Sequence, residues 1–447
     1  MSEVLGAATF PSGDLLLIDF GLLRIWSGGA APELAEGLAP PDVVAAANES
    51  MDFEIVGPDA AAVAARVDLA AVKGRYAFDV PGDGELVTAT VAEICAETGL
   101  DASVRTVPRM PHHTRVQRLL DDLPGGAEVP YFGGWAVAVR GLPADRRLPV
   151  LGERMDPDGP DAGKWHSVWV RCADGEPAKS IECGYVLVDE ARLMFADPTA
   201  LNGWRSDEPL DGLADVVFWG RDAATVAERV RPPEPSTMDQ SEVLGWTDLP
   251  GSEMLERGRE LDALQADGEL LFRFDVRPHD DHYRVLRQMY SSPAESGSIE
   301  VGGALVTGWF TSWGDGAFPV YRDLAADGTL LRVRVELGAP EIVQRQRRFE
   351  RLWFGDLAKV ALVSARVARD GAPVSWLYRE EPDNDQDSGW RVFAGDESQS
   401  YLDDAANCVL VPLRELINLV PERVFDEPAP VTFERDDPDG DFVPAER

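Results

Sequence analysis

The densest group of potential metal ligands in the sequence is His279-Asp280-Asp281-His282, two imidazoles and two carboxylates in four consecutive residues. Divalent transition metals accept this mixture of donors. Aspartate is also a good N-cap, so a loop that leads into a helix explains the same residues. We favour the helix cap, and we predict neither a bound metal nor a cofactor.

A second acidic run, Asp383-Asn384-Asp385-Gln386-Asp387, has the alternating carboxylates of a calcium-binding loop. Its spacing does not fit such a loop. Glycine stands at position seven instead of six, and Ala394 stands where the bidentate glutamate is required. We therefore predict a solvated turn.

Signatures of nucleophilic catalysis and of nucleotide binding are not recognisable in this sequence. The histidines belong to no serine or cysteine protease motif. The glycine pairs at 133–134 and 302–303 do not form a dinucleotide fingerprint, and a P-loop is absent. The four cysteines include no C-x-x-C pair, which argues against a zinc knuckle. We predict no catalytic residue, and an enzyme is the less favoured interpretation.

The charge balance restricts the classes of partner. Asp and Glu outnumber Lys and Arg by 79 to 42, and the formal net charge is -37. Nucleic acids and anionic membranes bind basic surfaces, so both are excluded as direct partners, whereas a basic protein is permitted. No apolar run reaches the length of a membrane span, and the first twenty residues lack the features of an export signal. We expect a cytoplasmic protein.

A shift of 169 positions superimposes many residues of the first part of the chain on the second. Among the superimposed pairs are Pro81 and Pro250, His113 and His282, Arg115 and Arg284, the two glycine pairs, and Asp158-Gly159 with Asp327-Gly328. We predict two diverged copies of one domain, residues 1–178 and 183–340.

Hydrophobic periodicity predicts an α+β fold. Alternating apolar residues indicate half-buried strands, and helical spacing appears between them, with Asp59 and Asp222 placed as N-caps. The helices are too few for a doubly wound parallel sheet. We predict two tandem homologous α+β domains with mixed or antiparallel sheets, a connecting helix at 341–353, and a smaller α+β domain at 350–447.

The last domain is predicted in more detail. Residues 359–368 and 372–381 look like two strands, and Arg369-Asp370-Gly371 between them is a hairpin signal. A helix is expected at 411–420, and a final strand at 430–436.

Two motifs mark the second copy: Ala196-Asp197-Pro198 at the end of a strand, and WGDGAFPVY from Trp313 to Tyr321. In these motifs the region resembles a duplicated bacterial domain of unknown function. The first copy reads IDFG and PADRRLPVL at the corresponding places. The resemblance implies that the second copy is the half that contacts a ligand, in a cleft containing Asp197, Trp313 and Asp315.

The C-terminal segment carries YREEPDN at 378–384, DSGWRVFAGDE at 387–397 and YLDD at 401–404. In these ordered motifs it resembles a family of bacterial immunity proteins from polymorphic-toxin systems. The resemblance implies a protein-binding role that neutralises a toxin.

Seven residues of these motifs, with aromatic and acidic side chains among them, are the expected contact surface for a basic toxin domain. The residues are Ser388, Gly389, Trp390, Arg391, Asp396, Glu397 and Tyr401. A plainer interpretation is that the aromatics are core and the acids cap a turn. We expect Trp390 to be buried, with Asp396 and Glu397 at least partly exposed. The favoured function is a non-enzymatic immunity-like protein, and the alternative is a small-ligand-binding or hydrolytic enzyme with its site in the second copy.

Overall fold

The computed structural model describes residues 2–67, 76–80, 84–132, 134–230, 234–235, 243–353, 355–438 and 440–445. They form two compact units, Met1–Ala339 (unit 1) and Pro340–Arg447 (unit 2). Both units contain helices and mainly antiparallel sheets, so the α+β prediction is confirmed.

In the first half of unit 1 the described strands are β1 Ser2–Ala8, β2 Asp14–Ile18, β3 Met51–Val56, β4 Tyr76–Val80, β5 Ser103–Val107, β6 Ala127–Tyr131, β7 Gly134–Arg140, β8 Leu148–Arg154 and β9 Trp165–Arg171. The helices are a 3₁₀ turn at Phe20–Ile25, α1 Pro41–Asn48, α2 Ala60–Ala64, α3 Glu85–Thr98 and α4 His112–Asp122.

In the second half the strands are β10 Lys179–Val188, β11 Arg192–Ala196, β12 Leu213–Trp219, β13 Glu234–Pro235, β14 Leu244–Pro250, β15 Arg273–Pro278, β16 Ser296–Val301, β17 Ala304–Phe310, β18 Gly316–Leu324 and β19 Leu330–Glu336. The helices are a 3₁₀ turn at Ala200–Gly203, α5 Ala223–Arg229, α6 Gly251–Ala266 and α7 Asp281–Ser291.

Both large sheets of unit 1 take strands from both halves. Their orders are β1-β8-β9-β19-β18-β10 and β16-β17-β11-β2-β7-β6. In the first sheet β1, β8 and β9 occupy the places that β10, β18 and β19 occupy from the other edge. In the second sheet β6, β7 and β2 correspond in the same way to β16, β17 and β11. At the centre of the second sheet Leu17 faces Phe195, and at the centre of the first Trp169 faces Arg334. One buried cluster contains Leu16, from the first half, and Met194, from the second. The two halves therefore share one core.

The smaller sheets share an order of three strands, β4-β3-β5 in the first half and β14-β12-β15 in the second, where β13 pairs with the outer edge of β14. This is the arrangement that a duplicated domain with an internal two-fold axis would give. The duplication, with copies at 1–178 and 183–340, stays a prediction that the strand order supports.

The shift of 169 positions between the two halves is wrong by one residue in the β6–β7 and β16–β17 hairpins, where it is 170. Helices α4 and α7 do begin 169 positions apart. In the hairpins, however, Tyr131 faces Gly134 and Val301 faces Ala304, so Gly134 corresponds to Ala304 and not to Gly303. Burial fixes the register of each hairpin, because a one-residue slip would turn every side chain of a strand to the other face. Pro81 and Gly133 lie outside the described residues.

Asp59 and Asp222 stand at the N-caps of α2 and α5, but their side chains do not cap the helices. Each carboxylate instead accepts a backbone N–H from a distant loop, Asp59 from Asp101 at 2.9 Å and Asp222 from Leu271 at 2.7 Å. Their function is tertiary, because they tie the helix start to the loop before β5 or β15.

In unit 2 the described strands are β20 Val360–Ser364, β21 Trp376–Arg379, β22 Asp387–Phe393, β23 Cys408–Pro412, β24 Val431–Glu434 and β25 Val443–Pro444. The helices are α8 Pro340–Trp353, α9 Ala365–Ala368, α10 Gln399–Leu402, α11 Leu413–Leu416 and α12 Glu422–Phe425, with 3₁₀ turns at Asp356–Ala358 and Ala405–Asn407.

The strands of unit 2 form one sheet, in the order β23-β20-β22-β21-β24-β25. The predicted hairpin at 369–371 is wrong. Residues 365–368 form the helix α9 instead of continuing the strand, and β20 and β21 do not pair with each other, because β22 lies between them and runs parallel to β20. The helix expected at 411–420 is also wrong in extent. Residues 411–412 belong to β23, and the helix ends at Leu416. The connecting helix at 341–353 and the final strand are confirmed.

Candidate functional site

The DSGWR segment forms a bulge in β22. Along β20 the paired residues advance two positions, from Val360 to Leu362, while along β22 they advance four, from Asp387 to Arg391. Gly389 has a φ of +77°, and a Cβ there would lie 2.2 Å from the carbonyl oxygen of Glu380. Only glycine fits this conformation without moving the backbone.

The bulge brings Asp387 and Arg391 into a bidentate ion pair. The distances are 2.9 Å from Nη1 to Oδ1 and 2.9 Å from Nη2 to Oδ2, and Nε donates to Glu380 at 2.7 Å. The Asp387 and Arg391 side chains are only 11% and 7% exposed. The hydrogen bonds from Arg391 hold the pKa of Asp387 well below its usual range.

Four of the seven residues expected at the partner surface are therefore interior. Ser388, Gly389, Trp390 and Arg391 are buried. Ser388 donates its hydroxyl to the carbonyl of Val360 at 2.8 Å, and Trp390 packs in the core of unit 2. The burial of Trp390 agrees with the expectation from the sequence. Ser388, Gly389 and Arg391 were expected at the partner surface, but the bulge places them inside the sheet.

The Asp383–Asp387 run is a turn, and the side chains of Asn384 and Asp387 accept hydrogen bonds within it. Asn384 Oδ1 accepts the backbone N–H groups of Gln386 and Asp387, and Asp387 Oδ2 accepts that of Asp383. Because Asp387 is also paired with Arg391, the geometry agrees with a turn that stabilises β22.

The GDE motif combines a structural and an exposed carboxylate. Glu397 accepts the N–H groups of Ala394 and Gly395 at 2.9 and 2.8 Å. Burial alone would raise the pKa of Glu397, but hydrogen bonds from Ser364 and the backbone outweigh it and lower the pKa. The Asp396 side chain is 69% exposed and pairs with Arg366.

Tyr401 is half-buried in α10, and its backbone N–H donates to Ser398. Of the expected surface, Asp396, Glu397 and Tyr401 therefore remain accessible.

An aromatic cluster missed by the sequence reasoning lies on the sheet face opposite the core of unit 2. Trp376 and Tyr378 alternate with Leu377, which is buried in that core. Both rings contact Phe393 across the strand pair, with centroids 5.5 and 6.0 Å apart. Trp376 and Tyr378 are half-buried. Gly395 lies close to Trp376, and Asp396, the next residue in the sequence, is therefore at the edge of the cluster. The i, i+2 spacing of the two aromatics was the available signal.

In unit 1, the structure does not bring together the three residues expected in a cleft of the second copy. Asp197 follows β11 and accepts N–H groups from Ser12 and Thr199, each at 2.8 Å. Asp315 accepts the N–H of Ala191, which precedes β11, at 3.0 Å. Opposite ends of this strand are ~20 Å apart.

The roles of these three residues are structural. Trp313 is buried and donates its indole N–H to the carbonyl of Trp165 at 2.7 Å. Burial raises the pKa of Asp315. Asp197 is almost fully buried and shares its oxygens among backbone and hydroxyl donors.

The His279–His282 run separates into different environments. Asp280 caps α7 by accepting the N–H of Tyr283 at 2.8 Å, as the sequence predicts. Asp281 accepts the N–H of Arg205 at 3.0 Å. Burial and the nearby Arg192 lower the pKa of His282 to about 3, and Arg192 donates to its Nε2. The four residues do not converge on one point.

His279 instead faces a carboxylate cluster that sequence reasoning missed. Its Nδ1 lies 2.9 Å from Asp211 Oδ2, and its Nε2 lies 3.2 Å from Asp215 Oδ1 and 3.8 Å from Asp248 Oδ1. The ring stacks on Tyr283, whose hydroxyl donates to Asp215 Oδ2 at 2.5 Å. Asp215, Asp248 and Tyr283 lie in β12, β14 and α7, so no local sequence motif indicates the cluster.

Residues 361–446 match the family model of the immunity protein Imm33 domain. This region of unit 2 therefore resembles an immunity-protein family, as the motifs predict. No curated protein and no solved structure shows significant similarity to the chain. None of the helices in the described ranges is long and apolar enough to cross a membrane.

Proposed function

We propose that this chain is a non-enzymatic binding protein that neutralises a bacterial toxin through unit 2. The observation that carries the proposal is the immunity-domain match at residues 361–446. Unit 1, with its two predicted copies, orients unit 2 or extends the contact.

The contact surface proposed for the toxin consists of Trp376, Tyr378 and Asp396. The two aromatic side chains are half-buried on the sheet face away from the core, where they supply rigid contact area. Asp396 lies at the end of this face and is exposed to solvent. Glu397 holds the turn that presents Asp396, and Tyr401 lies in the helix that follows.

The partner surface is proposed to be basic. The formal net charge of -37 attracts a positively charged partner over long range and accelerates its association. Carboxylates such as Asp396 then occupy the positions that substrate phosphates would take in a basic active site. This mechanism needs no catalytic residue in the chain.

The test begins with the full chain as bait in a lysate of the cells that encode it, followed by identification of the captured proteins. Each captured protein is expressed in a heterologous host, alone and together with the chain. We expect one of them to arrest growth and the chain to restore it. The proposal fails if no captured protein is toxic, or if co-expression leaves growth arrested.

Variants then locate the surface. Trp376→Ala should abolish rescue, and Asp396→Asn should slow association and flatten its dependence on salt, because exposed interface charges act mainly on the on-rate. The matched control is Asp441→Asn, which removes another exposed carboxylate from unit 2. If Asp396→Asn and Trp376→Ala both bind at the wild-type rate, the toxin contacts another surface.

A further inference from the structure

The two halves of unit 1 contain equivalent pairs of carboxylates. Asp52 and Asp215 occupy corresponding positions in β3 and β12, and Asp79 and Asp248 correspond in β4 and β14. Asp79 and Asp248 both adopt a left-handed backbone conformation, with φ of 51° and 53°. Their N–H groups donate to Asp52 at 3.0 Å and to Asp215 at 2.9 Å. The two pairs therefore have the same local geometry.

In the first half this pair holds a cation. The guanidinium of Arg115 lies between the carboxylates, with Nη2 3.2 Å from Asp52 Oδ1 and Nη1 2.6 Å from Asp79 Oδ2. The Arg115 side chain is fully buried. The positive charge compensates two carboxylates that would otherwise repel each other in a poorly solvated site.

In the second half the corresponding arginine does not enter the pair. Arg284, at the position of Arg115 in the helix, is 45% exposed and pairs with Asp281. The place near Asp215 and Asp248 is bordered instead by His279 Nε2. This nitrogen and one oxygen from each of the two aspartates all lie within 4.8 Å of one another.

The two ring nitrogens of His279 have different surroundings. Both ring nitrogens face carboxylates, Nδ1 facing Asp211 and Nε2 facing Asp215. A neutral imidazole carries a single N–H. When Nδ1–H donates to Asp211, the Nε2 lone pair faces Asp215 and Asp248 and can bind a metal ion together with their oxygens. A carboxylate that orients a histidine in this way is common behind metal-bound imidazoles.

We propose that Asp215, Asp248 and His279 bind a divalent transition-metal ion. The ligands are one oxygen from each aspartate and His279 Nε2, a mixed nitrogen and oxygen set that Zn²⁺ accepts. Asp211 orients the imidazole. Asp248 is 49% exposed, which gives the ion access from solvent and leaves room for water in the remaining coordination positions. The site is independent of toxin binding by unit 2, and it uses residues other than those expected in the second-copy cleft.

Zinc chloride is the probe, added to the full chain after dialysis against a chelator, with binding measured by calorimetry. We expect one equivalent to bind saturably. His279→Gln and Asp248→Asn should each weaken binding by more than about tenfold, and Asp211→Asn by about tenfold or more through loss of orientation. Asn tolerates the left-handed conformation at 248, so that variant preserves the turn. The control Asp262→Asn removes an exposed carboxylate from α6 and should change nothing.

A variant that binds zinc more tightly excludes misfolding as the reason for weaker binding in the other variants. Arg287 Nη1 lies 3.1 Å from Asp248 Oδ1 and competes with the ion. Arg287→Gln should therefore tighten zinc binding, which a damaged fold would not do. Absence of saturable binding would show that these three side chains do not hold the ion. Binding that is unchanged in both His279→Gln and Asp248→Asn would place the zinc elsewhere, and either result overturns the proposal.

Discussion

Arg391 and Asp387 are joined by two parallel hydrogen bonds of 2.9 Å, although they are four positions apart in one strand. In a regular strand such residues are ~13 Å apart. The bulge at Gly389 closes that distance, and the DSGWR motif is therefore explained by folding. A motif shared with a binding family can be structural, while the contacts with a partner lie beside it.

Asp387→Asn should destabilise unit 2 by about 3 kcal/mol, because it removes the main counter-charge of the buried Arg391. Protection from hydrogen exchange at residues 387–393 in the full chain measures the loss. Asp441→Asn breaks a solvent-exposed ion pair with Arg423 and should cost less than about 1 kcal/mol. Equal effects of the two variants would contradict the role assigned to the bulge.

The same pair predicts a pH dependence. Arg391 lowers the pKa of Asp387 in the folded state, so the unfolded chain takes up a proton first as the pH falls below about 4. The stability contributed by Asp387 is fully present above that pH and is lost progressively below it. The difference in exchange protection between wild type and Asp387→Asn should therefore shrink on acidification. A difference that stays constant down to about pH 2 would refute this.

Gly389→Ala should cost more than about 3 kcal/mol, since a left-handed alanine is strained by about 1 kcal/mol and its Cβ would also meet the carbonyl of Glu380. Gly371 is the matched control. It has a φ of +71°, and a Cβ added there would meet no described atom within 4 Å, so Gly371→Ala should show the conformational strain alone. Urea unfolding of both variants gives the difference due to the close contact.

Arg115→Met should destabilise unit 1 by about 3 to 5 kcal/mol, because it leaves Asp52 and Asp79 buried without their shared cation. Arg284→Met, the corresponding change in the second half, removes a partly exposed arginine and should cost less than about 1 kcal/mol. Urea unfolding followed by circular dichroism compares them. Similar losses would mean that the two halves use these arginines alike.

Local patterns predicted the elements whose signal is local. The spacing of apolar residues predicted the helices after Asp59 and Asp222, which are α2 and α5, the cap at Asp280 preceded α7 as expected, and the ordered C-terminal motifs identified the immunity-like region. The prediction of a hairpin at 369–371 was wrong because a turn signal indicates only that the chain reverses direction. It does not determine which strand pairs with β21, which is β22.

The α+β class, the helix at 341–353 and the final strand could be predicted from the amino-acid sequence, because they depend on side-chain periodicity and on neighbouring residues. The burial of Trp390 and the exposure of Asp396 were expected from the sequence, and both are observed. The inward orientation of Arg391 and its pairing with Asp387 emerged only from the folded chain, since a bulge changes the faces that alternation assigns. Folding also joined His279 to Asp215 and Asp248. Residues far apart in sequence meet only when sheet pairing brings their strands together, and no local pattern records that pairing.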